Sequence, residues 1–200
     1  MKCLTQIICL RSLTLGLSTL FLLPPPSVLA EDRAPEGPLR AAFIVNFTNF
    51  VTFPQSGDAS SELSPDSRTT RKLCVIGNDT LAIADSISQL LKASNLSSLE
   101  LLSLNGSSGA ISEQGCDIAY IDSDSSEKAC AIVGKLNSPR SVLSIAVAIG
   151  FAECGGIIEL QKIDNRYRFK INRGSAEREG LKLSSQLLSL ASSIEEKPYP

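Results

Sequence analysis

Apolar residues along this chain follow two alternating rhythms, one recurring every third or fourth position and one of short unbroken runs. Leu39, Ala42, Phe43, Asn46, Phe47 and Phe50 keep helical spacing, which predicts an amphipathic helix from Pro38 to about Val51. Phe53-Pro54 ends it, because the residue before a proline is pushed out of the helical region. Gln55 to Thr70 is rich in Ser, Asp, Gly and Pro and reads as an exposed loop. The apolar run Lys72 to Ile76 is then a strand, closed by Gly77-Asn78-Asp79, and Thr80 to Lys92 is a helix through Leu81, Ala84, Ile87, Leu90 and Leu91. A strand from Leu99 to Leu104 leads into the soft loop Asn105 to Gly109. Ile118 to Ile121 is a further strand, Ser125 to Leu136 a helix, and Val142 to Val147 a strand.

Strands alternating with helices specify an α/β fold, a three-layer sandwich with a mostly parallel sheet flanked by helices. After Gly155-Gly156 the rhythm changes. Ile157 to Ile163 and Arg166 to Ile171 straddle Asp164-Asn165 as a β-hairpin, and Asn172 to Glu179 is a short helix stopped by Gly180. Leu183 to Ile194 is predicted as a terminal amphipathic helix, with residues 197–200 a frayed tail and no internal repeat.

The first thirty residues stand apart. Lys2 and Arg11 precede the uncharged apolar run Leu13 to Leu23, Pro24-Pro25-Pro26 breaks any helix, and Val28-Leu29-Ala30 offers small or aliphatic residues before a cleavage point. This is a signal-peptide pattern with cleavage after Ala30, since about eleven apolar residues fall short of the roughly twenty needed to span a bilayer. The expected organisation is a signal peptide over 1–30, a flexible leader over 31–37 and one α/β domain over 38–196. The exported chain is expected to be periplasmic, with no membrane insertion.

Charge and composition narrow the function. The whole chain carries 19 basic and 21 acidic residues, a net −2, so no global field draws it to nucleic acid or to a membrane surface. There is no His, which removes His-based triads, His general bases and His-ligated zinc. The chain is therefore read as a non-enzyme with no cofactor. Beyond the signal segment four cysteines remain, Cys74, Cys116, Cys130 and Cys154, with no C-x-x-C pair among them. In an oxidising compartment they read first as disulfides, and three connectivities are open.

Most other motifs have structural readings. Ser125-Ser126-Glu127-Lys128 matches S-x-x-K but lacks its companion elements, and its serines sit where a helix is capped. Asp122 and Asp124 follow a strand, where carboxylates could hold a divalent ion, though turn and cap chemistry explains them. Gly106 to Gly109 is neither a Walker loop nor a dinucleotide fingerprint. The return strand of the hairpin is more informative. Arg166, Arg168 and Lys170 alternate with Tyr167, Phe169 and Ile171, giving one cationic and one apolar side. That stripe is either edge protection or a docking face for an acidic partner surface, without the aromatics of a nucleic-acid site.

Taken together, the chain resembles the periplasmic YfiR family, repressors that restrain membrane-bound diguanylate cyclases. The resemblance rests on Leu39 to Pro54 with its N-F-x-x-F-V, on Lys72 to Gly77, on Cys116-Asp117 before a strand, and on Leu143-Ser-Ile, Gly150-Phe-Ala-Glu, Gly155-Gly-Ile-Ile, Arg168-Phe-Lys-Ile-Asn172, Gly180-Leu and Leu183-Ser-Ser-Gln-Leu-Leu. It implies an exported α/β regulator, often dimeric, that binds the sensor domain of a cyclase, lowers cyclic di-GMP and biofilm formation, and responds to redox conditions through disulfides. Cys74 and Cys116 match one family bridge. The second family bridge does not carry over: Cys154 stands where many members have Arg, and Glu159 where its partner would be. Cys130 and Cys154 are thus open to pairing, to remaining free or to linking protomers. Partner contact is expected on the hairpin, with Ile158, Arg166, Arg168, Phe169 and Lys170 as candidates. The competing reading is a periplasmic small-ligand module serving a histidine kinase or transporter, its ligand in the crevice at the strand ends near Gly77 and Asp122 to Asp124.

Overall fold

A computed structural model describes residues 36–54, 70–77, 80–96, 98–105, 114–136 and 141–196. The signal segment 1–30, residues 31–35 of the expected leader, the loop 55–69, Asn78-Asp79, Gly106 to Gly109 and the tail 197–200 lie outside the described residues.

Among the described residues, fourteen elements follow in chain order. They are α1 (Glu36–Thr48), β1 (Val51–Thr52), β2 (Arg71–Gly77), α2 (Thr80–Ala93), β3 (Leu99–Asn105), β4 (Ile118–Asp122), α3 (Ser126–Val133) and β5 (Leu143–Ala146). Then come β6 (Ile158–Ile163), β7 (Arg166–Asn172), α4 (Arg173–Arg178), β8 (Lys182–Leu183), α5 (Ser185–Leu190) and β9 (Ser193–Glu195). The main sheet has seven strands in the order β3-β2-β4-β5-β6-β7-β9, parallel throughout except for the β6–β7 hairpin.

Side chains alternate across this sheet and build two apolar layers. On one face Leu73, Val75, Ile118, Tyr120, Leu143, Ile145, Ile158 and Phe169 pack against Ala41, Ile44 and Phe47 of α1, Ile83 and Ile87 of α2, and Leu187 of α5. On the other, Cys74, Ile76, Ala119, Ile121 and Ala146 meet Ala129 of α3 and Phe151 of the turn before β6. This is the three-layer α/β sandwich with a hairpin that the periodicity predicts. The hairpin, however, is no appendage, because β5 pairs with β6 and makes it part of the same sheet.

Three local expectations change. The first helix begins at Glu36 rather than after a leader ending at residue 37. Val51–Thr52, read as the end of that helix, instead forms a two-stranded ladder with Lys182–Leu183, and the Ser184 amide donates to the Phe50 carbonyl at 2.9 Å. The terminal helix is also shorter. It spans only Ser185–Leu190, capped by the Ser184 side chain, and Ser193–Glu195 leaves it to pair parallel with β7. The physical reason is the open edge of β7: the Ser192 amide and hydroxyl both donate to the Phe169 carbonyl, at 2.8 and 2.9 Å, satisfying an acceptor that continued helix would leave unpaired.

Candidate functional site

The hairpin turns on Asp164 and Asn165, both with positive φ (47° and 62°), the geometry whose twist matches that of the flanking strands. Alternation then sends Tyr167, Phe169 and Ile171 toward α1. The Phe169 ring meets Phe47 edge-on at 5.0 Å, and Tyr167 meets Phe43 at 5.7 Å. Ile158 is fully buried and Phe169 nearly so, so these two partner-contact candidates face the core and hold the fold instead. Lys170 is only partly exposed and ion-pairs with Glu153 (3.5 Å) and Glu159 (3.8 Å). Of the five candidates, Arg166 and Arg168 stand in solvent.

Glu159 is the most buried charge described, with no exposed surface. Its carboxylate accepts the Ala152 amide at 3.0 Å and the Gln161 side-chain amide. Asn172 grips the same turn from the next strand. Its amide donates to the Ala152 carbonyl at 2.7 Å, and its oxygen accepts the Ser175 amide to cap α4. Gly156 lets the turn close, since a Cβ there would lie 2.1 Å from the Phe151 ring. The turn is also tied covalently: Cys154 is bonded to Cys130 of α3, with Cα atoms 5.7 Å apart, and Cys74 of β2 is bonded to Cys116, with Cα atoms 5.9 Å apart. Cys130 and Cys154 therefore pair within the chain. Their bridge is partly exposed, whereas Cys74–Cys116 is buried.

A third feature lies at the carboxyl ends of the parallel strands. The chain leaves β2 through α2 to reach β3 on one side, and leaves β4 through α3 to reach β5 on the other. The order thus reverses between β2 and β4, the place where open α/β sheets form a crevice. A cleft of about 1150 Å³ occupies it, bounded by Gly77, Asp122, the start of α1 and α3. Arg40 reaches in from α1. Its Nη1 donates to Asp122 (3.1 Å) and Tyr120 (3.3 Å), and its Nη2 to Glu36 (3.2 Å). Tyr120 in turn donates to Asp122 at 3.1 Å. Burial works against the Arg40 charge, yet its contacts with Tyr120 and Tyr167 hold the guanidinium above its usual range. Burial likewise pushes the Tyr120 phenol up, against the opposing pull of Arg40. Glu36 also accepts Lys162 (3.1 Å) and Tyr167 (2.9 Å) from the hairpin, and those bonds hold its carboxyl below the usual range.

Sequence reasoning missed Arg40 and Glu36 as a pair. The available signal was a lone Arg inside the apolar run Leu39 to Ala42. Asp122, considered for a divalent ion, is taken up by Arg40 and Tyr120. Among the described residues no three His, Cys, Asp or Glu side chains gather as a metal site requires. Ser125 caps α3 by accepting the Lys128 amide, the structural role its motif suggested.

The fold and these features define a disulfide-tied, three-layer α/β domain. Residues 38–192 match the model of the YfiR/HmsC-like family, and the chain belongs to it. The members of that family are periplasmic regulators. A solved conserved domain protein from Vibrio cholerae O1 biovar El Tor shares the fold with a TM-score of 0.52 at 16% identity, over 80% of this chain and 60% of that one. An ABC domain from Streptococcus pneumoniae, solved with L-Trp, gives a TM-score of 0.47 at 12% identity over 64% of this chain and 56% of that one. The chain thus spans about 60% or less of the length of either protein. No curated protein matches it. No helix among the described residues is long and apolar enough to cross a membrane.

Proposed function

We propose that this chain binds the periplasmic sensor domain of a membrane-bound diguanylate cyclase and holds the enzyme inactive, lowering cyclic di-GMP and biofilm formation. The observation that carries the reading is family membership over nearly the whole α/β domain. Export by the N-terminal segment, cleaved after Ala30, would put the chain in the compartment where its two bridges are stable. The docking face is the outer end of the hairpin, where Arg166 and Arg168 are exposed and, among the described residues, engage no ion pair. A cationic face of this kind suits an acidic partner surface and acts mainly on association rate.

Deleting the gene should raise cyclic di-GMP and surface attachment, and the rise should vanish when the cognate cyclase is deleted too. Unchanged nucleotide levels under both reducing and oxidising growth refute the reading. The docking face is tested separately by Arg166→Glu with Arg168→Glu. Both side chains are exposed, so the variant should fold normally while its association with the membrane partner slows and loses salt dependence. Unchanged kinetics in a folded variant make the stripe edge protection only.

A further inference from the structure

The cleft at the β2–β4 reversal has two unlike walls. On the α1 side its charges are spent. Glu36 accepts Arg40, Lys162 and Tyr167, and Asp122 accepts Arg40 and Tyr120. On the α3 side Lys128, Ala131 and Ile132 of the helix and Lys135 of the turn that follows it line the cleft. Lys128 and Lys135 are exposed, and among the described residues neither makes an ion pair. Against their two positive charges the described lining residues offer one carboxylate outside the Arg40 network, that of Asp124. Among the described lining residues the uncommitted charge is therefore positive, and Ala131 and Ile132 between the two lysines are apolar, with Ala82 and Ile83 of α2 also in the lining. The volume suits a small organic molecule, and the position is where sheets of this topology take ligands.

From this we infer that the cleft binds a small organic anion, its carboxylate or phosphate head held by Lys128 and Lys135 and its apolar body lying along Ala131, Ile132 and Ile83. The site is separate from the docking face on the hairpin and does not depend on the identity of the partner.

The test is titration of the purified protein with phenyl phosphate and benzoate, followed by calorimetry and by backbone amide shifts. Benzylamine, benzyl alcohol and inorganic phosphate are the comparison probes. At least one aryl anion should bind, with shifts confined to α3, the start of α2 and the ends of β2 and β4, and at least tenfold more tightly than any comparison probe. Which aryl anion wins identifies the head group, and either supports the site. The double variant Lys128→Glu with Lys135→Glu should lose at least tenfold in affinity with an unchanged melting temperature. Both residues are exposed, and a Glu three residues after the Ser125 cap suits a helix start. Absence of aryl-anion binding, equal binding of inorganic phosphate or benzylamine, or undiminished affinity in the double variant each overturns the inference.

Discussion

Removing the Glu159 side chain tests how the turn before β6 is held. In Glu159→Ala the Ala152 amide loses its acceptor and Lys170 loses its buried partner, keeping only the exposed Glu153 at 3.5 Å. Breaking a buried pair from one side costs about 3–5 kcal/mol, and an exposed pair returns at most about 1 kcal/mol. Because Lys170 is 24% exposed and regains some water, the cost should lie near the lower end, about 3 kcal/mol. In a domain of this size that is a fall in melting temperature of about 6–12 °C. Glu159→Gln keeps an acceptor for Ala152 and should cost clearly less. The assay is urea denaturation of the oxidised protein, run as a cycle with Lys170→Met. The coupling between the two positions should be at least about 1 kcal/mol. A loss under about 0.5 kcal/mol for Glu159→Ala, or additivity in the cycle, refutes the account of Glu159 as the clamp of this turn.

Further outcomes follow from the bridges and from α1. Alanine at both ends of Cys74–Cys116 (separation 42) should cost about 4 kcal/mol, and at both ends of Cys130–Cys154 (separation 24) about 3.5 kcal/mol, in the chain-entropy treatment, read from urea midpoints. Under graded glutathione, timed alkylation with mass spectrometry should find Cys130 and Cys154 labelled first, because their bridge is the exposed one; simultaneous labelling contradicts this ordering. Glu36, whose carboxyl is held below its ordinary value of 4.5, should contribute stability above about pH 4.5 and lose that contribution as pH falls through its depressed value. Glu36→Gln should therefore flatten the acid limb of stability against pH by a small, salt-sensitive amount, and an unchanged limb rules the contribution out.

Much of the architecture was legible because each element of the β2 to β5 stretch repeats its own period. Ile118 to Asp122 buries the run its pattern nominates, and Thr80 to Ala93 buries Ala84 and Ile87 of its predicted stripe, while Leu81 stands exposed and Ile83 is buried in addition. What was illegible depends on partners distant in sequence. Val51–Thr52 is two residues long and becomes a strand only because Lys182–Leu183 lies beside it. Leu187 and Ile194 share a helical spacing in sequence, yet the unpaired edge of β7 takes the second of them as strand. Alternation assigned Arg168 and Phe169 to opposite sides, but it could not say that one side was core, which moved Ile158 and Phe169 from contact candidates to packing. The cleft was visible as a place, from strand ends near Gly77 and Asp122. Its chemistry was not, because Arg40 and Glu36 arrive from a helix about eighty residues upstream of Asp122.

The two bridges close loops over residues 74–116 and 130–154. Residues 36–54 and 158–196 lie outside both loops, and these are the segments that pack on one another, through the β1–β8 ladder, the Phe47–Phe169 contact and the Glu36–Lys162 pair. When that half opens, its chain regains full conformational freedom whatever the state of the sulfurs, so amide exchange in α1 and the hairpin should report a breathing motion with its own free energy. Arg166 and Arg168 ride on this uncross-linked half. The 152–154 turn that holds Cys154 touches their strand through Glu159 and Glu153 to Lys170 and through the Ala152 carbonyl to Asn172. These polar contacts lie at the boundary between the covalently tied part of the molecule and the part outside both loops, so a redox change at Cys154 meets that boundary first.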